Sequence, residues 1–320
     1  MNNKHLEVND FVMYYRTLRG EVKAVDHVSF SLIRGETIAI IGESGCGKSS
    51  LAKSLIRVLP RNVSVYKGTV LLDGLNLIEL DEKKFEKEVR WVKITYIPQA
   101  ALNSLNPVIK IGDQMIEPLV IRGKASKNEA LEVATKTLEK IGISKDFLYR
   151  YPFELSGGMR QRVIIAMSLM VKPELMLLDE PTSSLDVLTQ ANIMNLMKKI
   201  KEEFKPSMLF ITHDLSLSSE LADKVAVMYA GQIVEFNDAD KFYLEPAHPY
   251  SRKLMDSVPT LRTNKELDYI PGSPPSLLNP PRGCRFRDRC PWSFEKCVKD
   301  PPVVNLKEDF YVRCWLHERS

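Results

Sequence analysis

The chain has 320 residues, 44% of them hydrophobic and 27% charged, with a net charge of +4; this is length enough for two domains, or for one large domain with an appendage. The small positive excess is scattered and forms no long Lys/Arg block, which argues against a nucleic-acid partner. The longest apolar stretch, Val163 to Val171, is about half of what spans a bilayer. The opening Met1-Asn2-Asn3-Lys4-His5 carries no apolar leader segment, so a cytosolic chain is expected, held at any membrane by a partner.

Residues up to about 65 read as a β-rich piece leading into a helix. Within it, Thr37-Ile38-Ala39-Ile40-Ile41 is a continuous apolar run expected to form a buried strand. Gly42-Glu43-Ser44-Gly45-Cys46-Gly47-Lys48-Ser49 follows, a complete G-x-x-x-x-G-K-[ST] loop. Leu51, Leu55 and Leu59 then recur at helical spacing, with Pro60 expected to stop the helix. Such glycines let the backbone curl so that several N–H groups face an anion, and the helix N-terminus adds its positive dipole end. Lys48 is expected to reach the β- and γ-phosphates of a nucleotide, and the Ser49 hydroxyl to ligate Mg²⁺. Gly42, Ser44, Gly45, Cys46, Gly47 and Ser50 are the other ATP-binding candidates here. Cys46 has no partner cysteine nearby and is read as filling space rather than binding metal.

Gly68 to Leu80 reads as short strands around an Asp73-Gly74 turn. Leu131, Ala134, Leu138 and Ile141 share one helical face over 127–141, which places a helical insertion between about 100 and 170. Ser156-Gly157-Gly158 precedes an apolar helix at Val163 to Met170 and builds a second anion site: a hydroxyl, free backbone N–H groups and a helix N-terminus. Leu175 to Leu178 is a buried-strand run ending in Asp179-Glu180. A strand delivers acids at its C-terminal edge beside a bound ligand; Asp179 suits the Mg²⁺ shell and Glu180 a base that orients the attacking water. Residues 188–204 read as an amphipathic helix and Met208 to Thr212 as a strand. Strands alternating with helices imply an α/β core with a mostly parallel sheet.

The order of these elements closely resembles the ATP-binding subunits of ABC transporters. Gly42 to Ser49 is similar to the Walker A loop, Leu155 to Gln161 to the signature motif and Leu175 to Glu180 to the Walker B strand. Gln99 after Tyr96-Ile97-Pro98 resembles the Q-loop, Asp186 in Ser184-Leu185-Asp186 the D-loop, and His213 in Ile211-Thr212-His213-Asp214 the switch histidine. The resemblance implies an α/β P-loop NTPase fold of ABC ATPase type. Its parts would be a RecA-like core with an antiparallel β subdomain over 1–100 and 171–240, a helical signature subdomain over 101–170 and a C-terminal extension over 241–320. It further implies that Glu180, His213 and Lys48 are catalytic, that Ser49, Gln99 and Asp179 hold Mg²⁺, and that Tyr14, with Tyr15 as its neighbour, stacks on adenine. Two subunits would pair head to tail, with Ser156, Gly157, Gly158 and Asp186 of one completing the ATP site of the other. A soluble ABC ATPase acting on ribosomes or DNA is disfavoured, because the chain has one core and no extended heptads.

Beyond residue 240, five prolines fall between Pro271 and Pro281, an extended, non-helical stretch. Cys284, Cys290, Cys297 and Cys314 follow with C-x5-C-x6-C-x16-C spacing. A reducing compartment disfavours disulfides, and four thiolates suit Zn²⁺ or an iron–sulfur cluster. Arg282, Arg285, Arg287 and Arg289 could offset the negative charge of such a cluster or form a solvated basic face. Pro246-Ala247-His248-Pro249-Tyr250-Ser251, the arginine- and cysteine-bearing tail and Ser104-Leu105-Asn106-Pro107 resemble the ATPase subunits of dipeptide and oligopeptide permeases, with nickel permeases as near relatives. That resemblance implies a [4Fe–4S] cluster on the four cysteines, with Zn²⁺ as the alternative. It also implies two transmembrane permease subunits, a second ATPase subunit and an extracytoplasmic peptide-binding protein as partners, and a peripheral place on the cytoplasmic face of the membrane.

Overall fold

A computed structural model describes residues 4–99, 101–257 and 269–318. Met1-Asn2-Asn3, part of the opening read above, and the 258–268 stretch of the extension lie outside the described residues. In chain order the elements are β1 (Lys4–Thr17), β2 (Gly20–Ile33), β3 (Thr37–Ile41), α1 (Lys48–Leu55), β4 (Val63–Leu72), β5 (Leu75–Asn76), α2 (Glu82–Glu88) and β6 (Ile94–Ile97). They continue with α3 (Ile111–Ile121), α4 (Lys127–Lys140), α5 (Gly157–Leu169), β7 (Leu175–Asp179), α6 (Val187–Phe204), β8 (Ser207–Ile211) and α7 (Leu215–Ser219). The last are β9 (Lys224–Tyr229), β10 (Gln232–Asp238), α8 (Ala239–Leu244), α9 (Pro249–Asp256), β11 (Val303–Lys307) and β12 (Phe310–Arg313). No described helix is long and apolar enough to cross a membrane. The chain divides into two compact units, 1–79 with 210–320, and 80–209.

In the first unit, β2, β1, β4 and β5 form an antiparallel sheet in that order. Asp73 and Gly74 join β4 to β5 with φ of 48° and 79°, both in the left-handed region that a two-residue hairpin turn needs. β3, buried along its whole length, pairs in parallel with β9. β9 then pairs antiparallel with β10, β10 with β12, and β12 with β11. The sheet is therefore mixed rather than mostly parallel. The two-residue Ala230-Gly231 turn, with φ of 46° and 87°, folds β10 back on β9, and the C-terminal region supplies the remaining antiparallel strands. Helix α1 ends at Leu55, short of Leu59. Arg57 takes a left-handed φ of 53°, its N–H bonds to Ser54 O (3.2 Å), and the Val58 N–H bonds back to Lys53 O (2.9 Å). This paired closure ends the helix before Pro60 can act.

In the second unit, β6 and β7 run parallel, with Ile97 beside Leu178. Helices α3, α4 and α5 occupy the expected insertion. α4 opens on a capping box, in which Ser126 takes the Glu129 N–H and Glu129 takes the Ser126 N–H. Ala130, Ala134, Thr137 and Leu138 are buried on it, with Ile141 buried just past its end, so the expected face holds at Ala134, Leu138 and Ile141, and only Leu131 is half-buried. α5 starts at Gly157, earlier than the apolar run alone predicts, because Ser156 caps it.

Candidate functional site

The phosphate loop springs from the end of β3 in the first unit. Gly42 (φ 148°) and Gly47 (φ 110°) are required there: a Cβ on the first would meet Met228 O at 2.1 Å, and on the second Ala24 O at 2.0 Å. No side chain caps α1, so its first N–H groups stay available to an anion. Lys48, 5% exposed, folds its Nζ back onto Gly42 O (2.7 Å) and Glu43 O (2.9 Å), spanning the loop mouth. Cys46 is buried in the loop; burial pushes its thiol pKa up. Ser49 lies in the first turn of α1, and Ser50 accepts the Tyr15 hydroxyl (3.2 Å).

The neighbouring Tyr14 hydroxyl bonds to Asp26. Burial works to raise the Asp26 pKa, but Tyr14 and Arg285 together hold the carboxyl below its usual range. Burial first, then Asp26, pushes the Tyr14 pKa up. His213 is exposed on the turn after β8. The Thr212 N–H bonds to Ile40 O (3.2 Å), which carries His213 to the end of β3 from which the phosphate loop leaves.

The second unit gathers Gln99, Asp179 and Glu180 at the C-terminal edge of β6 and β7. Asp179 is fully buried and accepts the Tyr96 hydroxyl at 2.9 Å; burial and Asp179 push the Tyr96 pKa up. Gln99 Nε2 donates to Glu180 Oε2 at 3.0 Å. Glu180 holds a left-handed φ of 50°, a conformation that non-glycine residues keep only where surroundings enforce it. Ser156 is exposed and accepts the Met159 N–H at 3.3 Å. A Cβ on Gly158 would meet Thr189 Cγ2 at 2.4 Å. Asp186 caps α6, taking the Thr189 N–H (3.0 Å) and hydroxyl (2.7 Å), which lower its pKa.

All five cysteines are free thiols. Cys284, Cys297 and Cys314 are buried and Cys290 partly so. Burial pushes Cys284 up to about 12 and Cys314 up to about 11, and neighbouring cysteines add to each rise. The backbone at Phe286, Trp292 and Leu316, two residues on, works against the rise at Cys284, Cys290 and Cys314. Buried thiols that raise one another's pKa ionise readily only beside a cation.

Two of the arginines are neither cluster counter-charges nor a solvated face. Arg285 is buried against Asp26, and Arg289 against Glu43 in the phosphate loop. The Glu43 N–H also donates to the Tyr250 hydroxyl (2.8 Å). Asp26, Glu43 and Tyr250 carry no sequence signal for these roles, since 207 to 259 positions separate the partners. The His248-Pro249-Tyr250 run does have one. His248 caps α9 and Pro249 takes its first turn, the arrangement proline favours, which sets Tyr250 in the core.

Two family models match the chain: ABC transporter over residues 25–183, and Oligopeptide/dipeptide transporter, C-terminal region, over residues 234–297. The chain is 40% identical over 319 residues to the Dipeptide transport ATP-binding protein DppD of Caldanaerobacter subterraneus, covering 98% of both. It is 43% identical over 317 residues to the Oligopeptide transport ATP-binding protein OppD of Bacillus subtilis, covering 97% of this chain and 88% of that one. Among solved structures it is similar to a dimeric ATP-binding cassette in a post-hydrolysis state bound to ADP and Pi, with TM-score 0.64, 27% identity, and coverage of 73% of this chain and 98% of that one. A second is cbiO1 from Clostridium perfringens, with TM-score 0.66, 25% identity, and coverage of 76% and 92%.

Proposed function

Because the chain belongs to the ABC transporter ATPases, among the dipeptide and oligopeptide ATP-binding proteins, we propose that it hydrolyses ATP to power peptide uptake through an ABC importer. The observation that carries the ATPase reading is the phosphate loop, whose glycines are fixed by backbone walls and whose Lys48 spans its mouth. The peptide assignment rests on likeness to peptide-transport ATPases along nearly the whole chain, including the C-terminal region.

Residue by residue, Gly42 to Ser50 cradle the phosphates, Lys48 holds the β- and γ-phosphates and Tyr14 stacks on adenine. Mg²⁺ would be held by Ser49, Gln99 and Asp179; the oxygen donors suit a hard cation, which would neutralise phosphate charge. Glu180, pinned by Gln99, takes a proton from the attacking water, and His213 positions the γ-phosphate. Ser156, Gly157, Gly158 and Asp186 serve the ATP of a second, similar ATPase subunit. The exposure of Ser156 and Asp186 supports this, as does that of Val187 and Leu188, each 78% exposed beside Asp186. The chain works on the cytoplasmic face of the membrane with two permease subunits and an extracytoplasmic peptide-binding protein. Its domain plan is an ATPase core over 1–100 and 171–240, a helical subdomain over 101–170 and an extension over 241–320.

We assign a [4Fe–4S] cluster to Cys284, Cys290, Cys297 and Cys314. Burial and neighbouring cysteines raise the Cys284 and Cys314 thiols, and a bound iron centre would be the positive charge that lets them ionise.

The purified chain should hydrolyse MgATP. Glu180→Gln keeps the shape of the side chain but cannot take a proton, so turnover should fall about 10²-fold or more while ATP still binds. Wild-type rates in that variant would overturn the reading. Protein prepared without oxygen should carry about four iron and four acid-labile sulfide per chain; one zinc and no iron would refute the cluster.

A further inference from the structure

Glu43 is joined to the C-terminal extension from two sides. Its carboxylate takes both guanidinium nitrogens of Arg289, at 2.6 and 2.8 Å, and its backbone N–H reaches the Tyr250 hydroxyl. Arg289 is itself fixed: Nε donates to Pro271 O (2.7 Å), Nη1 to the Tyr229 hydroxyl (3.2 Å), and the guanidinium lies 5.9 Å from the centre of the Tyr229 ring. Planar, bidentate pairing of this kind fixes orientation as well as distance. The same Glu43 presents its backbone carbonyl to Lys48. One loop residue thus connects the phosphate-binding lysine to the arginine beside Cys290.

A second connection starts at Cys46 in the same loop. Its carbonyl takes the Gly231 N–H (2.8 Å), and the Gly231 carbonyl takes the Asp26 N–H (2.8 Å). The Asp26 carboxylate receives the Tyr14 hydroxyl and Arg285, and Arg285 also donates to Ala230 O. The two arginines, each next in sequence to a module cysteine, therefore reach the phosphate end and the adenine end of the same nucleotide-binding surface.

We propose that Arg289 and Arg285 are positioning residues for ATP: Arg289 sets the phosphate loop through Glu43, and Arg285 sets Tyr14 through Asp26, so that the C-terminal extension tunes nucleotide affinity. This rests on the ATP-binding reading of the loop. A loop held in its phosphate-ready shape loses less freedom on binding, and that is the source of the affinity.

The test measures Kd for MgATP and for inorganic tripolyphosphate, with the thermal midpoint, on the full chain. Arg289→Met should raise both Kd values about 10-fold. Glu43→Gln should do the same, and the double variant should be no weaker than either single, because both remove one interaction. Arg289→Lys, which keeps the charge but not the fork, should recover part of the loss. Arg285→Met, or Asp26→Asn if that variant folds poorly, should raise the Kd for ATP and leave that for tripolyphosphate unchanged. Lys224→Met, which breaks the Lys224–Glu36 pair (2.8 Å) elsewhere in this unit, should lower the midpoint and leave both Kd values at wild type. Wild-type affinity in Arg289→Met and Glu43→Gln, or fully additive losses in the double variant, would overturn the proposal. A wild-type chain that binds no ATP would instead overturn the ATPase reading.

Discussion

The phosphate loop and the Ser156-Gly157-Gly158 turn both use glycine where a side chain does not fit, but their walls differ. Gly42 and Gly47 face backbone carbonyls of Met228 and Ala24, and Gly158 faces a threonine methyl. The loop is also tied by Tyr250 and Arg289 to a distant part of the chain, whereas Ser156 is held by its own helix cap and stays exposed. A backbone wall cannot retreat without moving a strand; a methyl can turn or be removed. The first region is a loop held rigid by contacts within its own unit. The second is a surface whose hydroxyl and helix N-terminus face outward.

Substitutions at these glycines sharpen the contrast. The largest effect is expected from Gly47→Ala, which adds left-handed strain to an overlap with backbone; stability should fall by about 3 kcal/mol or more, read as a loss of the thermal midpoint. Gly158→Ala should cost about 1–3 kcal/mol. Thr189→Ser, which removes the opposing methyl and keeps the hydroxyl bound to Asp186, should restore most of it. A Gly47→Ala chain as stable as wild type, or a Gly158→Ala chain that Thr189→Ser does not rescue, would break the comparison. The smallest effect belongs to Ser156→Ala, about 1 kcal/mol for a lost helix cap, measured by denaturant unfolding.

What the sequence made legible follows the range of the forces involved. The strand, glycine loop and first helix could be read because their determinants are contiguous: a wholly apolar strand, glycines at left-handed positions and leucines at helical spacing. The end of that helix could not, since Arg57 adopts the left-handed closure usually left to glycine while its guanidinium bonds to the carbonyls of Leu77 and Ile78. The face of α4 could be read at Ala134, Leu138 and Ile141, and only at its first turn does Ala130 lie inside while Leu131 is half-buried. The antiparallel strands after β9 were missed because the Ala230-Gly231 hairpin looks like an ordinary turn in an α/β pattern. Arg285 and Arg289 were visible as charges near cysteines, but charge alone does not name a partner. Only the fold brings Asp26 and Glu43 to them.

We propose that the phosphate loop binds ATP and that the exposed Ser156 turn serves the ATP of a second, similar subunit. Sedimentation of Glu180→Gln with and without MgATP tests it most directly. One-chain mass is expected without nucleotide and two-chain mass with it, because ATP is bound and not consumed. A variant that binds ATP at saturation and still sediments as a single chain would contradict it.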